Sequence, residues 1–313
     1  MPLTAILKNR MLTLNLKYLS LALVTFFVPT TDLFAQIPDF SKVPTLHTGD
    51  STNITYLINN GVKMTKGKVI AWFPKDSLSP KQMNEIIRML NKGISKAEKF
   101  IGVPFSWQIH DTNQPYIFYF RHDRFVSHAS GAGFVSIPFW RIKNGKAPWL
   151  HEVMHEMLDT KTGSWGSPAV TEKESDENMP LWLFEGLPDY VSLNVSLLEK
   201  LPFFDVFSND FKTDMDSSFT KEIKSKNGPY ILSFIGSKGI MPELFSEERN
   251  LYAPAFYHGS CSFVKFLVSN YEIKVLITAI SMFKEELYTI EKLTGKPLKA
   301  LKKEWLDQLG ITE

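Results

Sequence analysis

His151-Glu152-Val153-Met154-His155 decides how the rest of this 313-residue chain is read. On an α-helix, residues four apart lie on one face, one turn apart. That spacing sets the imidazoles of His151 and His155 side by side, where both can grip a single metal ion. Glu152 sits next to the first histidine and points toward the same pocket without being a ligand. Pro148 fits the first turn of such a helix, which the pattern carries to about Asp159.

A catalytic zinc takes three protein ligands and leaves a fourth position for water. Cysteine cannot supply the third from nearby, because the one cysteine is Cys261, and no further histidine follows at short spacing. The best candidate is Glu185, within Leu181-Trp182-Leu183-Phe184-Glu185-Gly186-Leu187-Pro188-Asp189-Tyr190, 30 residues after His155. That interval holds a loop and an antiparallel second helix. Burying an unpaired carboxylate among such apolar residues costs several kcal/mol, which a metal partner offsets. Asp189 stands one turn after Glu185 and can accept the free ring N–H of a zinc-bound histidine.

The H-E-x-x-H stretch followed by W-L-F-E-G-L-P-D-Y resembles the gluzincin zinc metallopeptidases, the superfamily of thermolysin and the aminopeptidase-N-like enzymes, and is closest to the peptidase MA-like branch. The resemblance implies an α+β, two-lobed fold. It implies zinc (Zn2+) as cofactor, His151, His155 and Glu185 as its ligands, Glu152 as general base and a peptide or protein as substrate. The implied reaction is amide hydrolysis by a zinc-activated water. Enzymes of this branch carry an oxyanion-binding tyrosine just before a helix of the second lobe. Tyr257, 72 residues after Glu185, fits that place, and His258 competes for the role because thermolysin-like enzymes use a histidine. Pro188 departs from the pattern, where alanine is common. It is harmless if its helix begins near Glu185 and bends the helix if that begins near Leu181. The G-x-M-E-N motif that holds a free N-terminus is absent, which favours an endopeptidase or a different exopeptidase.

Residues 1–35 read as an export signal, with Lys8, Arg10 and Lys17 ahead of an apolar run from Tyr18 to Val28 and Ala35 at the cleavage point. The run falls short of the about 20 residues that a membrane span needs, so no stable span is expected once the signal is removed. Taking three basic and one acidic residue from totals of 35 and 33 leaves the exported chain neutral. A neutral chain has no basic excess to attract nucleic acid. A single cysteine allows no internal disulfide.

Residues 36–67 read as an N-terminal arm with one strand at Ile54–Ile58, residues 68–179 as an N-terminal α/β lobe, and residues 180–313 as a mainly helical C-terminal lobe. Strands are expected at Lys68–Phe73, Tyr116–Phe120 and Phe134–Trp140, the last at a sheet edge because of Pro138. Ser79, Pro80 and Gln82 spell a capping box ahead of a long amphipathic helix that Gly102 and Pro104 end. In gluzincins the edge strand binds substrate by strand addition. Ser130-Gly131-Ala132-Gly133 occupies the corresponding place. Residues 160–179 read as a solvated loop, and helices are expected at 274–288 and 297–309.

Two further classes compete with an enzyme. A catalytically inactive, peptidase-like zinc-binding module would be expected to lack Glu152 or a ligand, and this chain keeps all of them. A structural zinc protein would close its site with four ligands rich in cysteine, which this chain lacks.

Overall fold

The structure, a computed structural model, describes residues 48–102, 115–122, 127–129, 134–162, 179–201, 214–282 and 285–312. The export segment, Ser130–Gly133 and most of the 160–179 loop lie outside the described residues. The fold is α+β. Among the described residues, five strands form one mixed sheet: β1 (Val62–Lys66), β2 (Val69–Phe73), β3 (Tyr116–Arg121), β4 (His128–Ala129) and β5 (Phe134–Pro138), in the order β1-β2-β3-β5-β4. β2, β3 and β5 run parallel, in registers such as Val69 with Tyr116 and Ile117 with Phe134. β1 and β4 run antiparallel at the two edges.

Parallel neighbours require a crossover, and α2 (Pro80–Phe100) supplies the one from β2 to β3. Its start is fixed as the sequence indicates. The Ser79 side chain accepts from the Gln82 N–H while the Gln82 side chain accepts from the Ser79 N–H, and Pro80 takes the first helical position. Met83, Ile87, Leu90, Ile94 and Ala97 are buried on one face of α2, the 3.6-residue period of a helix laid on a sheet.

Three expectations near the sheet are corrected. Ile54–Ile58 is not a strand but part of helix α1 (Thr48–Asn60). Ile54 and Leu57, three apart, are buried against Tyr119, while Tyr56 is exposed. The arm expected to be irregular over residues 36–67 therefore joins the sheet layer from Thr48 onward. The strand begun at Phe134 stops at Pro138, and Phe139–Lys143 turns into helix α3. The edge on this side is β4, which covers β5 at Val135 and Ser136. Among the described residues, Pro138 pairs with Arg121 of β3 and β4 does not reach it.

The metal-motif helix α4 (Trp149–Thr162) follows, with the Glu152 N–H bonded to the Pro148 carbonyl. Trp149, 2% exposed, anchors its first turn. A Cβ on Gly93 of α2 would collide with the Trp149 ring, so glycine is what lets α2 and α4 approach. Helix α5 (Leu181–Glu199) carries Glu185 and runs through Pro188 unbroken. Because α5 starts at Leu181, Pro188 is interior and cannot donate to the Phe184 carbonyl.

Residues 214–248, which carry no long periodic signal, fold as α6 (Met215–Glu222), α7 (Gly228–Phe234) and a 3-10 turn at Pro242–Phe245, and the long α8 (Arg249–Tyr271) follows. The helix expected over 274–288 is two, α9 (Ile273–Ile280) and α10 (Glu286–Thr294), and α11 (Leu298–Leu309) ends the described chain. One apolar core runs from the sheet through α4 and α5 to these helices. No described helix is long and apolar enough to cross a membrane.

A close approach in this core matters for the site. Helices α5 and α8 meet where a Cβ on Gly186 would lie 2.6 Å from the backbone of Ser260. Gly186 directly follows Glu185. Gly186→Ala is expected to force the helices apart and to destabilise the fold by about 1–3 kcal/mol, as overpacking does. Urea unfolding measures this, and unchanged stability would contradict the packing described.

Candidate metal centre

Helix α4 places His151 and His155 on one face, as their spacing requires. Their rings stand nearly perpendicular, at 81°, with centroids 4.5 Å apart. The two Nε2 atoms converge to 2.8 Å. Glu185 approaches from α5, its Oε2 lying 3.2 Å from His151 Nε2 and 3.5 Å from His155 Nε2. Among the described residues, these three form a group able to hold a metal ion.

The triangle has the size of a tetrahedral metal site. Tetrahedral bonds of about 2.0–2.1 Å set ligand atoms roughly 3.3 Å apart, and the three observed edges straddle that value. Two imidazole nitrogens and one carboxylate leave the fourth position open. Glu185 is 7% exposed and lies among Trp182, Leu183, Phe184 and Leu187, all essentially buried.

Asp189 completes the support one turn along α5, its Oδ1 lying 2.6 Å from His151 Nδ1. This carboxylate fixes the ring so that Nε2 faces His155 and Glu185. Burial alone would disfavour a charged His151, but Asp189 and Glu185 outweigh it and hold the ring's pKa well above the usual imidazole range. Burial likewise pushes the Glu185 carboxyl upward, yet His155 and His151 hold it well below the usual carboxylate range. The two carboxylates and the two imidazoles thus favour each other's charged forms. Asp189→Asn is expected to weaken zinc binding about 10- to 100-fold, measured by competition with a chromophoric chelator. Unchanged affinity would show that Asp189 does not support the ligand.

Glu152, 7% exposed, lies in the first turn of α4 and is not part of the ligand triangle. Tyr257 comes from the middle of α8, not from a position before a helix, since α8 begins at Arg249. Its phenol is buried, and burial first, then the charges of Glu185, Asp189 and Glu152, hold its pKa well above the usual phenol value against an opposing Arg249. It therefore keeps its proton and can donate it in a hydrogen bond. His258, the competing residue, is turned about 100° around the helix from Tyr257. Its Nδ1 lies 2.6 Å from Glu222 Oε2 on α6. The structure thus ties His258 to a partner on α6 and Tyr257 electrically to the site carboxylates.

No family model matches the chain, and no curated protein matches it either. What can be said of its chemistry comes from these residues. Sequence reasoning missed two of them. Arg141 of α3 and Arg249 of α8 enter the neighbourhood of Glu152 and Tyr257. No motif marks them, because they come together only through the fold.

Proposed function

We propose that this chain is an exported zinc metallopeptidase of gluzincin type that hydrolyses peptide bonds. The observation that carries the reading is the convergence of His151 Nε2, His155 Nε2 and Glu185 Oε2, with Asp189 on the far ring nitrogen of His151. His151, His155 and Glu185 hold the ion. When bound, zinc supplies polarisation of the scissile carbonyl and lowers the pKa of a water molecule. Glu152 accepts a proton from the attacking water and passes it to the leaving nitrogen as the C–N bond breaks. Tyr257 donates a hydrogen bond to the carbonyl oxygen as it becomes an oxyanion.

The two-lobed arrangement belongs to this reading. The sheet with α2 and α4 forms the first lobe and the helices from Leu181 onward the second, with the ligands at their junction. β4, antiparallel at the sheet edge and packed near α4, offers the edge to which a substrate strand would add. The segment 1–35 directs the chain out of the cytoplasm and is removed before Gln36.

Chelation tests the reading. The purified chain is expected to carry one zinc, to degrade a disordered protein, to lose that activity with its metal and to regain it with one equivalent of zinc. Activity that persists in the metal-free protein would refute it.

A further inference from the structure

Two contacts fix how α5 lies on α8. The rings of Trp182 and Phe263 have centroids 5.0 Å apart. One turn further along α5, a Cβ on Gly186 would lie 2.6 Å from the carbonyl carbon and oxygen of Ser260. Advancing along α5 thus means going back along α8, so the two helices run antiparallel where they touch. One more turn brings Tyr257, just before Ser260, level with Asp189, just after Gly186. Residues three apart share a helix face, so Tyr257 lies on the face of α8 that meets α5. Glu185 and Asp189 are the carboxylates that reach His151, at 3.2 and 2.6 Å. The register therefore carries Tyr257 toward the metal centre on a helix that supplies none of its three candidate ligands.

The two helices are held by different neighbours. Glu185 and Asp189 tie α5 to the metal helix, and Glu199, 2.6 Å from Lys96, ties it to α2. His258 ties α8 to Glu222 of α6 at 2.6 Å, and the Ser262 hydroxyl donates to Asp216 of α6 at 2.6 Å. Trp305 of α11 donates to the same hydroxyl at 2.9 Å. At Gly186 these two sets of contacts meet with no side chain between them. What a Cβ would strike there is backbone, which cannot rotate aside.

We propose that Gly186 is a positioning residue: by lacking a Cβ it seats α8 directly on α5 and so sets the distance from Tyr257 to the metal that Glu185 helps to hold. The inference rests on the peptidase reading for the use made of Tyr257 and adds the device that places it. Ordinary carbon contacts need about 3.5–4.0 Å, so alanine at this position lifts α8 from α5 by roughly 1 Å, a misplacement that costs on the order of 10²-fold in rate. The ion stays, because Glu185 keeps both histidines.

The test reads distance before rate. The full exported chain is made with a fluorinated tyrosine and loaded with cobalt(II) or with zinc. Cobalt is paramagnetic, and the fluorine shift it adds over zinc falls with the third power of the metal–ring distance. Loss of one signal in Tyr257→Phe identifies the resonance. In the wild type this resonance is expected to differ between the two metals. Gly186→Ala is expected to shrink the difference while the cobalt absorption spectrum, which reports the ligands, stays the same. Gly259→Ala is the control for overpacking as such. Its Cβ would meet the ring of Phe219 and the side chain of Ile235, each at 2.6 Å, and these can yield, so the Tyr257 shift is expected to hold. A wild-type resonance that is the same with both metals, which needs no substitution, overturns the proposal. So does a shift that Gly186→Ala leaves unchanged, or one that Gly259→Ala reduces as much. In a rate assay Gly186→Ala is expected to lower kcat about 10²-fold at full zinc content, and to add almost nothing to the loss in Tyr257→Phe. Additive losses would show that Gly186 does not act through Tyr257. If the shifts behave as expected and the zinc-loaded chain cleaves no peptide, the placement stands and the peptidase reading fails alone.

Discussion

Glu152→Gln is expected to lower peptide hydrolysis by roughly 10²–10⁴-fold, the usual loss when a general base is removed, while zinc stays near one per chain. The reason is a division of labour within one helical turn. His151 and His155 belong to the ligand triangle with Glu185, and Glu152 does not. Glutamine keeps the size of the side chain and can still hydrogen-bond a water, but it cannot take its proton. Metal analysis beside a rate assay separates the two effects. Equal rates at matched zinc content would show that Glu152 has no part in the proton transfer.

His151→Ala is expected to lose both metal and activity. Its ring touches every other part of the centre: Asp189 through Nδ1, and His155 and Glu185 through Nε2. Removing it leaves two ligands, takes from the buried Asp189 the ring 2.6 Å away and takes from Glu185 one of its two histidines. An uncompensated buried charge typically costs about 3–5 kcal/mol, so the variant should also unfold at lower denaturant. Zinc content by mass spectrometry and a urea transition measure both. A variant that retains one tightly bound zinc would place the metal elsewhere.

The site was legible because its chemistry is written at helical spacing. His151 and His155 are four apart, as are Glu185 and Asp189, and each pair falls on a helix. The apolar run around Glu185 marked a carboxylate with something to hold. The capping box at Ser79 announced α2 for a similar reason, since the side chains that close a helix end are read from adjacent residues. Where two periods fit a short segment, the reading failed. Ile54, Tyr56 and Ile58 alternate as a strand would, but Ile54 and Leu57 also fit a helix, and packing against Tyr119 decided for the helix. α6 and α7 span eight and seven residues, too short for a periodic signal, although Asp214 caps α6 by accepting from the Ser217 N–H. Tyr257 was expected just before a helix and lies inside one, because nothing near Arg249 announces a helix start: Glu248 makes no side-chain cap. The charges that Arg141 and Arg249 exert near Glu152 and Tyr257 were invisible, since no spacing in the sequence relates them.

The central claim is that a metal held by His151, His155 and Glu185 serves peptide hydrolysis and not mere binding. The most direct measurement is a digest of a mixed peptide library by the zinc-loaded chain, read by mass spectrometry for new peptide termini. The account predicts new termini that grow with time and vanish on chelation. A library left intact by a folded chain carrying one zinc would contradict it.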